Sequence, residues 1–207
     1  MHKFTKKEIE NNYQEHVNRI REFRILGLDR VLLGKDIVKH IDSSINSILE
    51  IGTGKGSLTA LLAKISRHVT SVDIDKASQY KAGLLLAHEA LIDNVCFKLE
   101  DAQKLLYDDN SFDLVISAFS FHHFQEPFKV IDQIIRLAKK QIIITEFNDR
   151  GFRLVEEMHE KENNTHKRIH ENFDDVLVYL KNKGAKVFSY ENLWSKTYVV
   201  SVAKGVK

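Results

Sequence analysis

The feature that most constrains this chain is the stretch Ile48-Leu49-Glu50-Ile51-Gly52-Thr53-Gly54-Lys55-Gly56-Ser57-Leu58-Thr59. A short apolar run, Ile48 to Ile51, reads as a buried strand. Glycines then stand at every second position, and Ser57 and Leu58 open a helical pattern that continues through Leu61, Leu62 and Ile65. Strand, glycine turn and helix in that order form a nucleotide-type site at the end of a parallel strand. Glycine permits positive φ and lets a ligand come close to the backbone. The helix start offers unpaired N–H groups and a positive dipole end to a carboxylate or phosphate. A dinucleotide fingerprint would need a third glycine where Ser57 stands. A phosphate-binding Gly-Lys-Ser/Thr loop would need the lysine after the second glycine, whereas Lys55 precedes Gly56. What remains is Glu50-x-Gly52-x-Gly54-x-Gly56.

The rest of the sequence narrows the class. At 207 residues the expectation is one domain with an added helical segment. An apolar fraction of 43% is enough for a full core. A net charge of +2, with acids and bases interleaved, argues against a strongly polyanionic partner. The single cysteine, Cys96, excludes a disulfide framework, a cysteine-rich zinc site and an iron–sulfur cluster. No apolar run reaches the length of a membrane span, and no signal-peptide core opens the chain. The expected location is therefore cytoplasmic, without membrane association.

Along the chain, Phe4 to Ile25 reads as a helix, with Ile9, Tyr13, Val17 and Ile20 on one face. Asp29 is placed to cap a second helix running to about Ile41. This pair is either packed on the domain edge or a lid that presents Tyr13 or His16 to a ligand. His68 to Asp75 is a β-branched run ending in acids. Asp73 follows the glycine turn by about twenty residues, where doubly wound folds place the acid that binds a ribose diol. Asp75 could instead cap the next helix, Lys76 to about Ile92. Val95 to Leu99 and Ser111 to Ser117 read as the third and fourth strands. The fourth leads into Phe119-Ser120-Phe121-His122-His123-Phe124, and Pro127 suits the first turn of the helix that follows to about Lys139. Gln141 to Thr145 is a fifth, interior strand ending at Glu146. A helix from Gly151 to about Asn164, another from Phe173 to Lys183, and an antiparallel strand pair, Ala185 to Tyr190 with Thr197 to Ala203, complete the chain.

Taken together, Glu50-x-Gly52-x-Gly54-x-Gly56, Asp73 after the second strand, Asp101-Ala102 after the third, and Phe112-Asp113-Leu114-Val115 leading to His122-His123 and Glu126-Pro127 resemble the class I S-adenosylmethionine-dependent methyltransferases, in their small-molecule branch. The resemblance is close over residues 45 to 147 and looser over the last strand pair. It implies an α/β, doubly wound, Rossmann-like sheet of seven mostly parallel strands, with one antiparallel strand near the edge and helices on both faces. Residues 1–44 would be an N-terminal helical cap, 45–147 the cofactor-binding core, and 148–207 a helical insert with the closing strand pair. The implied cofactor is S-adenosyl-L-methionine, leaving as S-adenosyl-L-homocysteine. Gly52, Thr53, Gly54 and Gly56 would lie against its methionine part, with Glu50 orienting that turn. Asp73 would take the ribose hydroxyls and Ile74 would lie on adenine. Asp101 and Ala102 would flank the base edge, and Ser117 would sit near the sulfonium.

The acceptor is the part the sequence hides. The expected partner is a small molecule, for a monomer or homodimer. RNA or protein methylation is the second enzyme reading; nucleic acid is disfavoured, because Ser117-Ala118-Phe119-Ser120 lacks the Asn/Asp-Pro-Pro-aromatic motif and no dense basic stripe is present. A cofactor-binding protein without turnover is the alternative from another class. If the acceptor must lose a proton, His122 and His123 are the candidate bases, with Glu146 a second acid on the same rim; either histidine could equally be structural. Glu162, His166 and His170, with His159 nearby, have helical metal-ligand spacing, but Asn163-Asn164-Thr165 is a poor helix interior, and a solvated face is favoured over a metal site.

Overall fold

In the computed structural model, which describes residues 4–162, 169 and 172–202, the elements are α1 (Lys6–Ile25), α2 (Arg30–Val38), β1 (Ser47–Ile51), α3 (Ser57–Ile65), β2 (His68–Asp73), α4 (Lys76–His88), β3 (Val95–Leu99), β4 (Phe112–Ala118), α5 (Pro127–Leu137), β5 (Ala138–Phe147), α6 (Asp149–Lys161), α7 (Asp174–Asn182), β6 (Val187–Glu191) and β7 (Ser195–Ser201). The seven strands form one sheet in the order β3-β2-β1-β4-β5-β7-β6. Only β7 runs against the others, pairing antiparallel with both β5 and β6. The order reverses direction between β1 and β4, so the carboxyl ends of β1, β2 and β4 open on one crevice.

The central strands are apolar almost throughout because both of their faces are covered. Alternate residues serve opposite layers. Leu49, Ile51, Val115, Ile142 and Ile144 pack with Val130, Ile131 and Ile134 of α5 and with Val176 and Leu180 of α7. Ile48, Leu114, Ile116 and Ile143 pack on the other face with Ile37 of α2 and Leu62 of α3.

Local chemistry sets the element ends. The Asp29 carboxylate accepts from the amides of Val31 and Leu32, capping α2 as expected. That helix stops at Val38, three residues short of the expected end. Asp75 caps α4 through the Ala77 amide, so β2 ends at Asp73. α4 ends at His88 rather than near Ile92, because Ala90 turns to a φ of 55° and the Leu91 amide folds back to the Leu86 carbonyl. No glycine or asparagine announces that stop. β5 is longer than expected, starting at Ala138 directly after α5.

α1 is a strap. A capping box between Thr5 and Glu8 starts it. Its first half is tied to α4: the Phe4 ring lies against Gly83, Tyr80 Oη donates to Glu8, Asn12 donates to the Lys81 carbonyl, and Tyr13 stacks on His88 at 3.5 Å. Its second half crosses to α2 and α6. There Phe23 is buried with Leu28, Leu33, Phe147, Phe152, Val155 and Met158.

Candidate functional site

The three glycines of the turn serve three purposes. All have positive φ, at 89°, 50° and 86° for Gly52, Gly54 and Gly56. A Cβ on Gly56 would stand 2.8 Å from Ala82 of α4, so this glycine lets α3 and α4 close together. A Cβ on Gly52 would collide with the Ser120 side chain, so Gly52 seats the loop that follows β4. A Cβ on Gly54 would meet nothing within 4 Å. Gly54 is thus the glycine whose surface is open, and its amide donates to Asp73 Oδ2 at 2.8 Å.

Beneath the turn lies a buried polar chain. Glu50 is 1% exposed, and its Oε2 accepts from Thr59 Oγ1 at 2.7 Å and Ser71 Oγ at 2.6 Å. With its own proton committed to Glu50, Ser71 Oγ accepts from Thr53 Oγ1 at 2.6 Å. Glu50 therefore reaches the turn through Ser71 and Thr53. The register explains the contact: Glu50 lies opposite Ser71 in the β1–β2 ladder. Glu50 Oε1 is buried without a hydrogen-bond partner. Burial pushes the Glu50 carboxyl up to about 7, and nearby Asp73 adds to this, against the opposing hydrogen bonds from Ser71 and Thr59. Sequence reading singled out Glu50 but missed Thr59 and Ser71, which come from α3 and β2 and become partners only once the strands are paired.

At the end of β2 the Asp73 carboxylate joins two segments, accepting from Gly54 through one oxygen and from Asp75 at 2.9 Å through the other. Each oxygen keeps a second lone pair. Ile74 beside it is 75% exposed, and Leu99, which pairs with Asp73 across β2–β3, is 55% exposed. Two apolar side chains thus stand open at the strand ends that flank the crevice; Leu99 was not singled out from the sequence. Asp101 is exposed and caps its own turn by accepting from the Gln103 amide. Ala102 packs against the core. Ser117 is buried at the end of β4, in register with Ile51.

The loop after β4 carries Phe119 at a φ of 57°, held by its amide bond to the Thr145 carbonyl and by stacking on Phe147 at 4.1 Å. It also brings two of the candidate catalytic residues together. His122 Nδ1 lies 2.7 Å from Glu146 Oε2, and both residues are 1% exposed. The His122 amide donates to the same oxygen at 3.2 Å, and the Phe147 amide donates to Oε1. His123 is exposed, with its ring 3.9 Å from that of His122.

Among the described residues no group of three acidic, histidine or cysteine side chains could hold a metal ion. Glu162 is instead paired with Arg19 at 3.0 Å, while His166 and His170 lie outside the described residues. No helix of the described residues is long and apolar enough to cross a membrane.

Residues 49–144 match the family model of a methyltransferase domain. The chain is 34% identical over 103 residues to the demethylmenaquinone methyltransferase of Clavibacter sepedonicus, covering 49% of this chain and 41% of that protein. It is 31% identical over 108 residues to the ubiquinone/menaquinone biosynthesis C-methyltransferase UbiE of Hydrogenovibrio crunogenus, covering 50% and 42%. The chain thus spans about two fifths of the length of these curated relatives. Among solved structures, the magnesium protoporphyrin IX methyltransferase of Synechocystis with bound S-adenosylhomocysteine aligns with a TM-score of 0.62 at 18% identity, over 98% of this chain and 89% of that one, which is a likeness of fold. The residues that match the methyltransferase domain, 49–144, are those of the glycine turn and the strands that follow it.

Proposed function

We propose that the protein transfers a methyl group from S-adenosylmethionine to a small-molecule acceptor by in-line displacement. The observation that carries this reading is the open surface of Gly54 beside Asp73, with Ile74 exposed at the next position. The cofactor fits what the crevice offers: a glycine whose Cβ position is empty, an acid with lone pairs to spare, apolar side chains without cover, and a buried carboxyl oxygen, Glu50 Oε1, without a partner. The acceptor class rests on the names of the curated relatives, which include a demethylmenaquinone methyltransferase.

When bound, S-adenosylmethionine supplies an electrophilic methyl group on a sulfonium. Residues 45–147 hold it: the turn from Gly52 to Gly56 binds the methionine part, Asp73 the ribose hydroxyls, Ile74 and Leu99 the adenine faces, and Asp101 with Ala102 its edge. Ser117 closes the floor near the sulfonium. The cap of residues 1–44 and the insert after Phe147 align the acceptor and exclude water. Such alignment alone can lower a barrier by about 7–11 kcal/mol. The contact between His122 Nδ1 and Glu146 fixes the imidazole ring, and His122 is the candidate base for an acceptor that must lose a proton. His123, exposed beside the His122 ring, is the second candidate.

The test has two parts. Asp73→Ala is expected to weaken S-adenosylhomocysteine binding at least tenfold; unchanged affinity would overturn the ribose assignment. Mass spectrometry of the protein as purified is expected to find S-adenosylhomocysteine, the spent form. Recovery of S-adenosylmethionine alone, with no consumption when candidate acceptors are added, would favour a cofactor-binding protein without turnover.

A further inference from the structure

Arg19 of α1 and Arg30 at the start of α2 both lie on the Phe23 ring, with guanidinium carbons 5.4 and 4.9 Å from its centroid. Phe23 itself is fully buried. Lys55 of the glycine turn and His159 of α6 lie in the field of both arginines, and His16 lies in that of Arg30. Four elements far apart in sequence therefore bring positive charge to one place over the turn. Glu162 is the carboxylate in contact with this group, and it is already bound to Arg19 at 3.0 Å. Glu89, which faces His16, is bound to Lys64 at 2.9 Å, and Glu15 is bound to Lys81, the other cation near Lys55. Arg30 has no hydrogen bond or ion pair among the described residues.

This arrangement costs stability as it stands. Burial pushes the Arg30 guanidinium down to about 10, and Arg19 beside it adds to the effect. The same mutual repulsion lowers Lys55 and His159, after their burial. A half-buried guanidinium with no ion pair among the described residues can take an anion, because a fork of fixed donors is suited to carboxylate and phosphate oxygens. The apolar ring beneath it supports the planar groups without neutralising them.

Resting on the methyltransferase reading above, we infer that Arg19 and Arg30, with Lys55 behind them, form the recognition site for an oxyanion on the methyl acceptor. The acceptor is thus a small organic acid or phosphate ester, held by its charged end between α1, α2 and the glycine turn. Among the described residues, a neutral acceptor would leave Arg19, Arg30 and Lys55 facing Glu162 alone.

The experiment titrates the S-adenosylhomocysteine-saturated protein with benzoate, inorganic phosphate and the neutral isostere benzamide, followed by calorimetry. Saturable binding of benzoate or phosphate, none of benzamide, and at least tenfold weaker oxyanion binding in Arg30→Gln and in Arg19→Gln are expected. Arg30→Lys should restore part of the affinity, and Lys39→Gln, on the far side of α2, should leave it unchanged. Thermal unfolding of each variant establishes that it is folded. Absence of oxyanion binding, or equal binding in the Arg19→Gln/Arg30→Gln double variant, would overturn the inference. So would a tenfold loss of S-adenosylhomocysteine affinity in Arg30→Gln, which would give the arginines to the cofactor's own carboxylate. Failure of S-adenosylhomocysteine to bind the wild type would count against the cofactor reading instead, and the same titration of the ligand-free protein would then decide the anion site.

Discussion

Replacing Glu50 by glutamine should shift the stability difference from wild type in the variant's favour as pH rises. The Glu50 carboxyl has an ordinary value of 4.5 and is raised to about 7 by burial in the fold. Between these values the folded chain holds a proton that the unfolded chain has lost. Native stability from this group is therefore fully present below 4.5, falls as pH rises, and is lost above about 7. The residue is fully buried, so no solvent discount applies. At 1.36 kcal/mol per pH unit, titrating both states between pH 5 and pH 8 gives a loss of about 2–3 kcal/mol. Glutamine has no such titration. Its oxygen can accept from Ser71 and Thr59, while its amide group falls where Oε1 has no partner. That unsatisfied donor costs about 1–3 kcal/mol, but equally at every pH. The signal is consequently the slope and not the offset: the stability difference between Glu50→Gln and wild type should shift by about 2–3 kcal/mol in favour of the variant from pH 5 to pH 8. For a chain of this size that is a shift of about 5–10 °C in relative midpoint. Urea unfolding of both proteins at pH 5, 6, 7 and 8 measures it. A difference that is flat with pH would refute the burial argument.

Other consequences are equally specific. Gly56→Ala places a methyl 2.8 Å from Ala82 at a φ of 86°, and should destabilise the fold by roughly 2–4 kcal/mol in chemical denaturation. Gly54→Ala meets no atom and should cost only about 1 kcal/mol of stability while weakening S-adenosylhomocysteine binding by more than tenfold, a separation that calorimetry and unfolding together would reveal. Glu146→Gln removes the carboxylate that accepts from the His122 ring and amide and the Phe147 amide, and should destabilise by about 1–3 kcal/mol; a neutral effect would mean the pair is not formed.

What the sequence made legible was what local chemistry determines. The glycine turn, the caps at Asp29 and Asp75, Pro127 at the start of α5, and the apolar runs of β1, β4 and β5 each carry their own signal within a few residues. The seven-stranded sheet with one reversed strand was implied by the resemblance to the methyltransferases, and the structure has both. The partners of Glu50 were not legible, since Ser71 becomes its neighbour only through the β1–β2 register. The Arg19–Arg30–Lys55–His159 group was hidden for the same reason: no spacing links four elements that meet only when the cap folds over the turn. The reading of Tyr13 as a ligand-facing residue gives way to its stacking on His88, because the apolar stripe of α1 faces α4 over its first half. The end of α4 escaped notice because Ala90 takes a left-handed turn that alanine sequences do not advertise.

The central claim is that the open glycine turn beside Asp73 is a cofactor site. Calorimetric titration of the purified protein with S-adenosylmethionine and with S-adenosylhomocysteine tests it most directly. Saturable binding of both at micromolar concentrations, at one site per chain and reduced at least tenfold by Asp73→Ala, is the predicted result. A folded protein that binds neither would contradict the account.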